Sequence, residues 1–411
     1  MKTAFNGIII VIPTRNRAAV AEAAIQSALQ HEAVEVSVLV SDNSTSEEDL
    51  KRLANFCSSL GDRRLTYVRP PQSLRMAPHW DWALHRALEL YSHNHVTFLT
   101  DRMMFKPGAR AKVAAIASEY PDSIISYMHD RVADNQLPIR VDQHPWTAKL
   151  YRASAKHLLQ LSSQSILHEM LPRMLNAVVP REHLARLAQR FGKFFDSHSP
   201  DFNFCYRSLE LVESIIFYDE ALLIHYALNR SNGAAATSGE NNNEDREDFV
   251  SGVMGQAGYF AVPIPEILTP RNSIAHEYCV TRNETKSQKF PLLNEKQYLE
   301  ALASELPEIT NLEVKAETER RLLSHGWKKP TRSAALARRV SPTRVANKVA
   351  REFRAIRSNL SAFENGVGSA VPEFASLEAA LEFALRSPRT RIKAQPELEK
   401  TFGLVPVSLA D

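Results

Sequence analysis

At 411 residues the chain is long for a single domain, and 44% hydrophobic with 24% charged residues excludes a largely disordered polymer. Thirteen glycines, about 3% against roughly 7% in average usage, exclude glycine-rich or collagen-like architecture. The net charge is only +3, yet Trp327 to Arg357 holds ten basic residues and one acid, Glu352, so the remainder carries −6.

Taken in chain order, Ile8–Ile12 reads as a strand buried on both faces, followed by a helix from Ala18 to Gln30 with Val20, Ala24 and Ala28 at four-residue spacing. Val36 to Ser41 is a second strand ended by Asp42-Asn43-Ser44, and Ser46 with Asp49 resembles a capping box opening the next helix. Leu65–Val68 is a third strand, Pro78–Tyr91 a helix and Val96–Thr100 a fourth strand, after which Pro107 is expected to start another helix. Ile124–Tyr127 is a further strand, Lys149 to Gly192 reads as helical with loops, and Ser214–Ala227 as two short strands around Asp219-Glu220. Strands alternating with helices of this length predict an α/β fold with a mostly parallel sheet. Ligands of such sheets sit beyond the carboxyl ends of the strands, where the polar residues after Ile12, Val40 and Leu99 fall.

The polar run Ser238 to Asp248 suggests a domain edge, which gives expected units of 1–240, 241–325 (mixed and helical) and 326–411 (basic and helical). Residues 295–325 read as helical and acidic, 333–360 as helical and basic, 361–376 as loop, and Leu377–Leu385 as a last helix. Cys57, Cys205 and Cys279 are too scattered for a disulfide framework or a cysteine zinc site, which fits a reducing cytoplasm. The apolar run Ile8–Ile12, cut by Pro13, lacks the length of a signal peptide, and no stretch nears the roughly 20 apolar residues of a membrane span. A soluble or peripheral protein is expected.

The first strand ends in Pro13-Thr14-Arg15-Asn16-Arg17 and the second in Ser41-Asp42-Asn43-Ser44. A strand-end Asp can accept from a nucleobase N–H or a ribose hydroxyl, and Arg suits phosphate. The bland alternative is that Thr14 and Asn16 cap a helix and that Asp42 to Ser44 is a turn. In 333–360, Val345, Val349 and Phe353 form an apolar stripe among Arg344, Lys348, Arg351, Arg354 and Arg357. Such a helix either packs with its charges solvated or lies peripherally on an anionic membrane surface, on the inner face. With only Trp327 and Phe353 as interleaved aromatics, a nucleic-acid surface is not expected.

The ordered set VIPTRNR (Val11–Arg17), AIQSALQ (Ala24–Gln30), VLVSDNSTSEE (Val38–Glu48), LRMAPHWDWAL (Leu74–Leu84), FLTDRMMFKPGA (Phe98–Ala109), SPDF (Ser199–Phe202) and SNG (Ser231–Gly233) resembles the family 2 glycosyltransferases of the GT-A fold. The resemblance covers roughly residues 6 to 235 and leaves the rest without support. It implies an inverting transfer of a sugar from a nucleotide-diphospho-sugar, a UDP-sugar being favoured, to a hydroxyl acceptor. The acceptor so implied is a glycan or lipid-linked oligosaccharide of bacterial surface-polysaccharide synthesis. By resemblance, Pro13, Thr14, Arg15, Asn16, Asp42, Asn43, Ser44, His79 and Asp101 surround the donor, Asp42 holding the base.

The family carries two or three acids where this chain has Thr100-Asp101-Arg102. Asp101 would be the one remaining ligand for Mg²⁺ or Mn²⁺, and hard cations want several oxygens. The alternative is a metal-independent site in which Arg102, with Arg15 or Lys106, compensates the leaving diphosphate. Resemblance places the general base at Asp201, for which a helix N-cap is the bland role. His198 could tune it. His129-Asp130-Arg131 could face the donor sugar, and His225 is either a late metal ligand or a structural histidine. The competing function is a non-catalytic GT-A-like binding or assembly protein.

Overall fold

A computed structural model describes residues 5–135, 137–143, 145–227, 260–329, 372–386 and 391–409. The expectations for Ser231–Gly233, for Ser238 to Asp248 and for the basic stretch 333–360 lie outside these residues. The fold is organised by β1 (Ile8–Thr14), whose seven residues are all buried. It lies parallel to β2 (Val36–Asp42) on one side and to β4 (His95–Phe98) on the other, and β3 (Leu65–Val68) adds in parallel beyond β2.

Strand side chains alternate between faces, so the apolar run divides cleanly. Ile8, Ile10 and Ile12 pack with α1 (Ala18–Leu29), whereas Ile9 and Val11 pack with Trp80, Ala83, Leu84 and Ala87 of α3 (Met76–Leu90). Each fully buried Ile or Val contributes about 1.5–3 kcal/mol of transfer free energy. α1 has no side-chain cap at its own N-cap residue, Arg17. The N–H of Ala18 instead donates to Asp49 Oδ1 at 2.9 Å, from the first turn of α2 (Glu47–Leu60), while Ser46 Oγ accepts from Asp49 N at 3.3 Å. Only half of the expected capping box forms, because the Asp49 carboxylate caps the neighbouring helix.

Beyond β4 the sheet is mixed: β9 (Ala177–Pro180) runs antiparallel to β4 and to β6 (Ile125–Ala133), and β10 (Ser214–His225) runs parallel to β6. β5 (Met103–Phe105) and β8 (Leu150–Ser154) pair antiparallel with β10, and β7 (Ile139–Asp142) with β6. Four expectations change here. α4 spans Ala109–Glu119 with Gly108 at its N-cap at φ +76°, so Pro107 precedes the helix. β6, at nine residues, is five longer than the four-residue strand expected and ends at Ala133.

The stretch from Lys149 to Gly192 contains β8 and β9 besides α5 (Ala155–Ser163) and α6 (Arg181–Phe191). Ser214–His225 is one strand whose register shifts at Tyr218–Ala221. The acids there are satisfied from outside the strand: Asp219 Oδ2 accepts from Thr147 N at 3.0 Å and Gln395 Nε2 at 2.9 Å, and Glu220 pairs with Lys112 at 2.6 Å. A bulge therefore carries both acids without ending the strand.

The expected boundaries at 240 and 325 do not separate hydrophobic cores. After α7 (Pro200–Leu211) come α8 (Pro270–Thr285), α9 (Glu295–Ala303) and α10 (Leu312–Ser324), and Tyr278, Leu302 and Leu322 join the same buried cluster as Phe98 and Phe204. β11 (Glu373–Phe374) pairs with β7, α11 (Leu377–Arg386) packs Ala380 and Ala384 on β6 and β7, and α12 (Pro396–Phe402) leads into β12 (Val405–Val407), which extends the sheet at β8. Residues 372–409 thus return to the sheet rather than forming a separate helical unit. No helix among the described residues is long and apolar enough to cross a membrane.

Candidate active site

Parallel register sets Thr14 beside Asp42, so the loops after β1 and β2 leave the sheet together. They are zipped by Asn16, which adopts φ +52°. Its Oδ1 accepts from Thr45 N at 2.8 Å and Ser46 N at 3.0 Å, and its backbone N–H donates to Ser44 Oγ at 2.8 Å. Asn43 clamps the loop before α3 in both directions, donating to Leu74 O at 2.6 Å and accepting from Leu74 N at 2.9 Å. Asn16 and Asn43 shape the rim, and Asn16 does not cap α1, whose N-cap residue is Arg17.

Asp42 is fully buried. Its Oδ1 accepts from Ser44 N at 2.9 Å and its Oδ2 from Tyr67 OH at 2.8 Å. Burial, then the hydrogen bond to Asp42, raises the Tyr67 hydroxyl well above its usual range. In this arrangement Asp42 holds Tyr67 and the turn, with one donor on each oxygen. His79 is likewise buried, hydrogen-bonded to Ser41 Oγ at 2.8 Å. Burial and then the nearby Arg15 charge push its pKa down to about 3, so it is a neutral ring bracing β2 against α3. Pro13 and Thr14 are buried at the strand end, with Arg15 half-buried beside them.

Asp101 is 3% exposed. Its Oδ2 accepts from Thr14 Oγ1 at 2.9 Å and its Oδ1 faces Arg17 Nη1 at 3.6 Å. A divalent cation fits poorly here: the donor set is one carboxylate, already engaged, with Arg17 and Arg102 close by. Among the described residues no group of three or more His, Cys, Asp and Glu is arranged to hold a metal ion.

Arg102 is the anomaly of the site. Its Nε and Nη1 are buried and have no hydrogen-bond partner. Burial lowers its pKa, Asp101 and Asp134 oppose that, and Arg17 adds to it. A guanidinium stays charged regardless. A buried cation with unmet N–H groups is costly unless an anion completes it.

Beside it, His225 is held well below its usual pKa by burial and by the charge of Arg102, then by His129, Arg173 and Arg131. The His225 ring meets that of His129 edge-on at 5.7 Å, and His129 Nδ1 lies 3.4 Å from Glu169 Oε2. Lys106, expected to assist with phosphate, is buried in an ion pair with Asp130, so its charge is already matched.

Asp201 lies in the first turn of α7, where Ser199 is the N-cap, so the N-cap role does not apply. Burial raises its carboxyl pKa, opposed by the Arg173 charge and by backbone N–H bonds. His198 does not tune it: that ring faces His276 at 5.4 Å and its backbone N–H donates to Glu277 at 3.0 Å. The strand ends therefore bring together Arg102, His225, His129 and, through Arg173, Asp201. Sequence reasoning missed Tyr67, Glu169 and Arg173. None sits in a spaced motif, and only Tyr67, at the end of a read strand, carried a usable signal.

Residues 9–174 match the family model described as glycosyl transferase family 2. No curated protein matches the chain. Among solved structures, S. aureus TarS 1–349 is 11% identical with a TM-score of 0.41, covering 82% of this chain and 92% of that one. The same segment in complex with UDP-GlcNAc is 13% identical with a TM-score of 0.40 over the same shares of the two chains. A further S. aureus TarS structure is 14% identical, covering 75% of this chain and 50% of that one, with a TM-score of 0.39.

Proposed function

Because this chain carries a glycosyl transferase family 2 domain over residues 9–174, we propose that it transfers a sugar from a nucleotide-diphospho-sugar, in the first instance a UDP-sugar, to a hydroxyl of a glycan or lipid-linked acceptor, with inversion. The observation that carries the reading is the Arg102 guanidinium at the carboxyl ends of the strands, whose buried Nε and Nη1 have no hydrogen-bond partner. In the transfer the acceptor hydroxyl oxygen bonds to the anomeric carbon and gives its proton to the Asp201 carboxylate. The bond from that carbon to the diphosphate oxygen breaks, and the diphosphate keeps the electron pair. Arg102 takes up the charge that develops there, with neutral His225 as a polar neighbour. Arg15, at the end of β1, is the further phosphate contact. The raised pKa of Asp201 makes it a stronger base once ionised.

The test is thermal stabilisation by a panel of nucleotide-sugars, each with Mn²⁺ and with EDTA, followed by turnover of Arg102→Ala. Stabilisation by one donor that survives EDTA, with kcat lowered about 10²- to 10³-fold in the variant, is expected. Stabilisation only with Mn²⁺ returns the leaving-group charge to a metal at Asp101. No stabilisation by any donor would leave a non-catalytic binding protein.

A further inference from the structure

We infer that Arg173 is a second guanidinium of the leaving-group site, acting on the donor diphosphate together with Arg102. The inference rests on the transferase reading above. Arg173 lies in the segment between α5 and β9, outside every motif of the sequence. That segment is fixed by Asn176, which is fully buried. Asn176 Oδ1 accepts from Arg173 N at 3.1 Å, and its Nδ2 donates to Tyr127 O at 3.3 Å and to Glu169 O. One amide side chain thus anchors residues 169 and 173 to β6, the strand that also carries His129.

The guanidinium lies 5.4 Å from the Phe202 ring, next in sequence to Asp201, and its Nε is buried without a hydrogen-bond partner. Its charge reaches both Asp201 and His225, and Arg102 acts on the same His225. Two cations with unmet N–H groups therefore act on one neutral imidazole. Two guanidiniums match the spread of oxygens on a diphosphate better than those of a monophosphate. When the bond from the anomeric carbon to the diphosphate breaks, the second guanidinium shares the electron pair's charge with Arg102. Its charge also opposes the burial that raises the Asp201 pKa.

The experiment uses the full chain with Arg173→Met, Arg173→Lys and Arg102→Ala, each checked for a folded thermal transition. Binding of UDP, UMP and inorganic pyrophosphate is measured by calorimetry, and kcat, KM and the pH profile by turnover. Arg173→Met is expected to weaken UDP and pyrophosphate at least tenfold more than UMP, and to lower kcat more than it raises KM. The acid limb of kcat/KM should move to higher pH, because the charge that holds the Asp201 pKa down is gone. Arg173→Lys should recover part of the pyrophosphate affinity.

A folded Arg173→Met that keeps the wild-type preference for UDP over UMP and the wild-type acid limb overturns the inference, while loss of activity in Arg102→Ala alone leaves the transferase reading standing. If the methionine variant does not fold, Arg173→Lys decides by the same ratio. Wild-type protein that binds neither UDP nor pyrophosphate overturns the inference together with the reading beneath it.

Discussion

Glu277 offers the sharpest test of how the C-terminal helices are tied to the candidate site. It lies on α8 with no exposed surface, and its Oε1 accepts from His198 N at 3.0 Å and Ser199 N at 2.9 Å. Those residues form the turn that delivers Asp201 at the start of α7. Burial pushes the Glu277 pKa from 4.5 up to about 8, with the Ser199 and His198 amides and the Ser197 and Asn203 side chains pulling the other way. The folded pKa lies above the unfolded one, so folding takes up a proton between them. The stability that this proton contributes is complete below pH 4.5, falls as the pH rises, and is gone above about pH 8.

At about 1.4 kcal/mol per pH unit, the loss from pH 6.5 to pH 8.5 is about 2 kcal/mol. Glu277→Gln keeps an oxygen for the two N–H donors and cannot ionise. Urea denaturation at the two pH values should therefore show the wild type losing about 2 kcal/mol relative to the variant. Parallel behaviour of the two proteins across that range would refute the buried, proton-bearing carboxyl.

Two further outcomes follow from the same geometry. Gly7→Ala should destabilise the chain by about 2 kcal/mol or more in denaturant unfolding, because Gly7 sits at φ +127° and a Cβ there would stand 2.8 Å from the Glu35 carbonyl, which already accepts from Ile8 N. At low pH the buried histidines dominate: burial holds His183 near 3, as it does His79, against 6.5 unfolded. Their stability is complete above about pH 6.5 and is lost as the pH falls towards 3, by about 1 kcal/mol per histidine per pH unit. His183→Gln, which can still bond Ser208 Oγ, should show a shallower loss between pH 6.5 and 5, and an unchanged slope would refute the assignment.

The central parallel strands were legible because their apolar runs are buried on both faces, and Ile8 to Ile12 leaves no other reading. β8 and β9 were not, because four or five residues such as Ala177–Pro180 have too little length to show a period of two. β10 misled for a different reason. Adjacent acids normally end a strand, and Asp219 and Glu220 stay within one only because Thr147, Gln395 and Lys112, up to 176 residues away, satisfy them. The site divides the same way. Asp42, Asp101 and Arg102 could be found as strand-end residues, whereas Arg173 acquires its place from Asn176 and a helix that starts 27 residues later.

Adjacency in sequence also misleads about charge. Asp101 and Arg102 are adjacent in sequence and opposite in charge, so an ion pair between them is the simple reading. Both are central residues of the turn between β4 and β5, in which Met103 N donates to Thr100 O at 2.9 Å. Asp101 turns back to Thr14 and Arg17 at the end of β1, and its charge is spent holding that loop. Arg102 acts on His225, which burial and neighbouring cations hold neutral, while Asp101 and Asp134 are the acids whose charge reaches Arg102. The guanidinium keeps its full charge with two N–H-bearing nitrogens unmet. A folded protein tolerates that cost most readily where an anion completes the cation, which is the outcome that the Arg102→Ala variant tests.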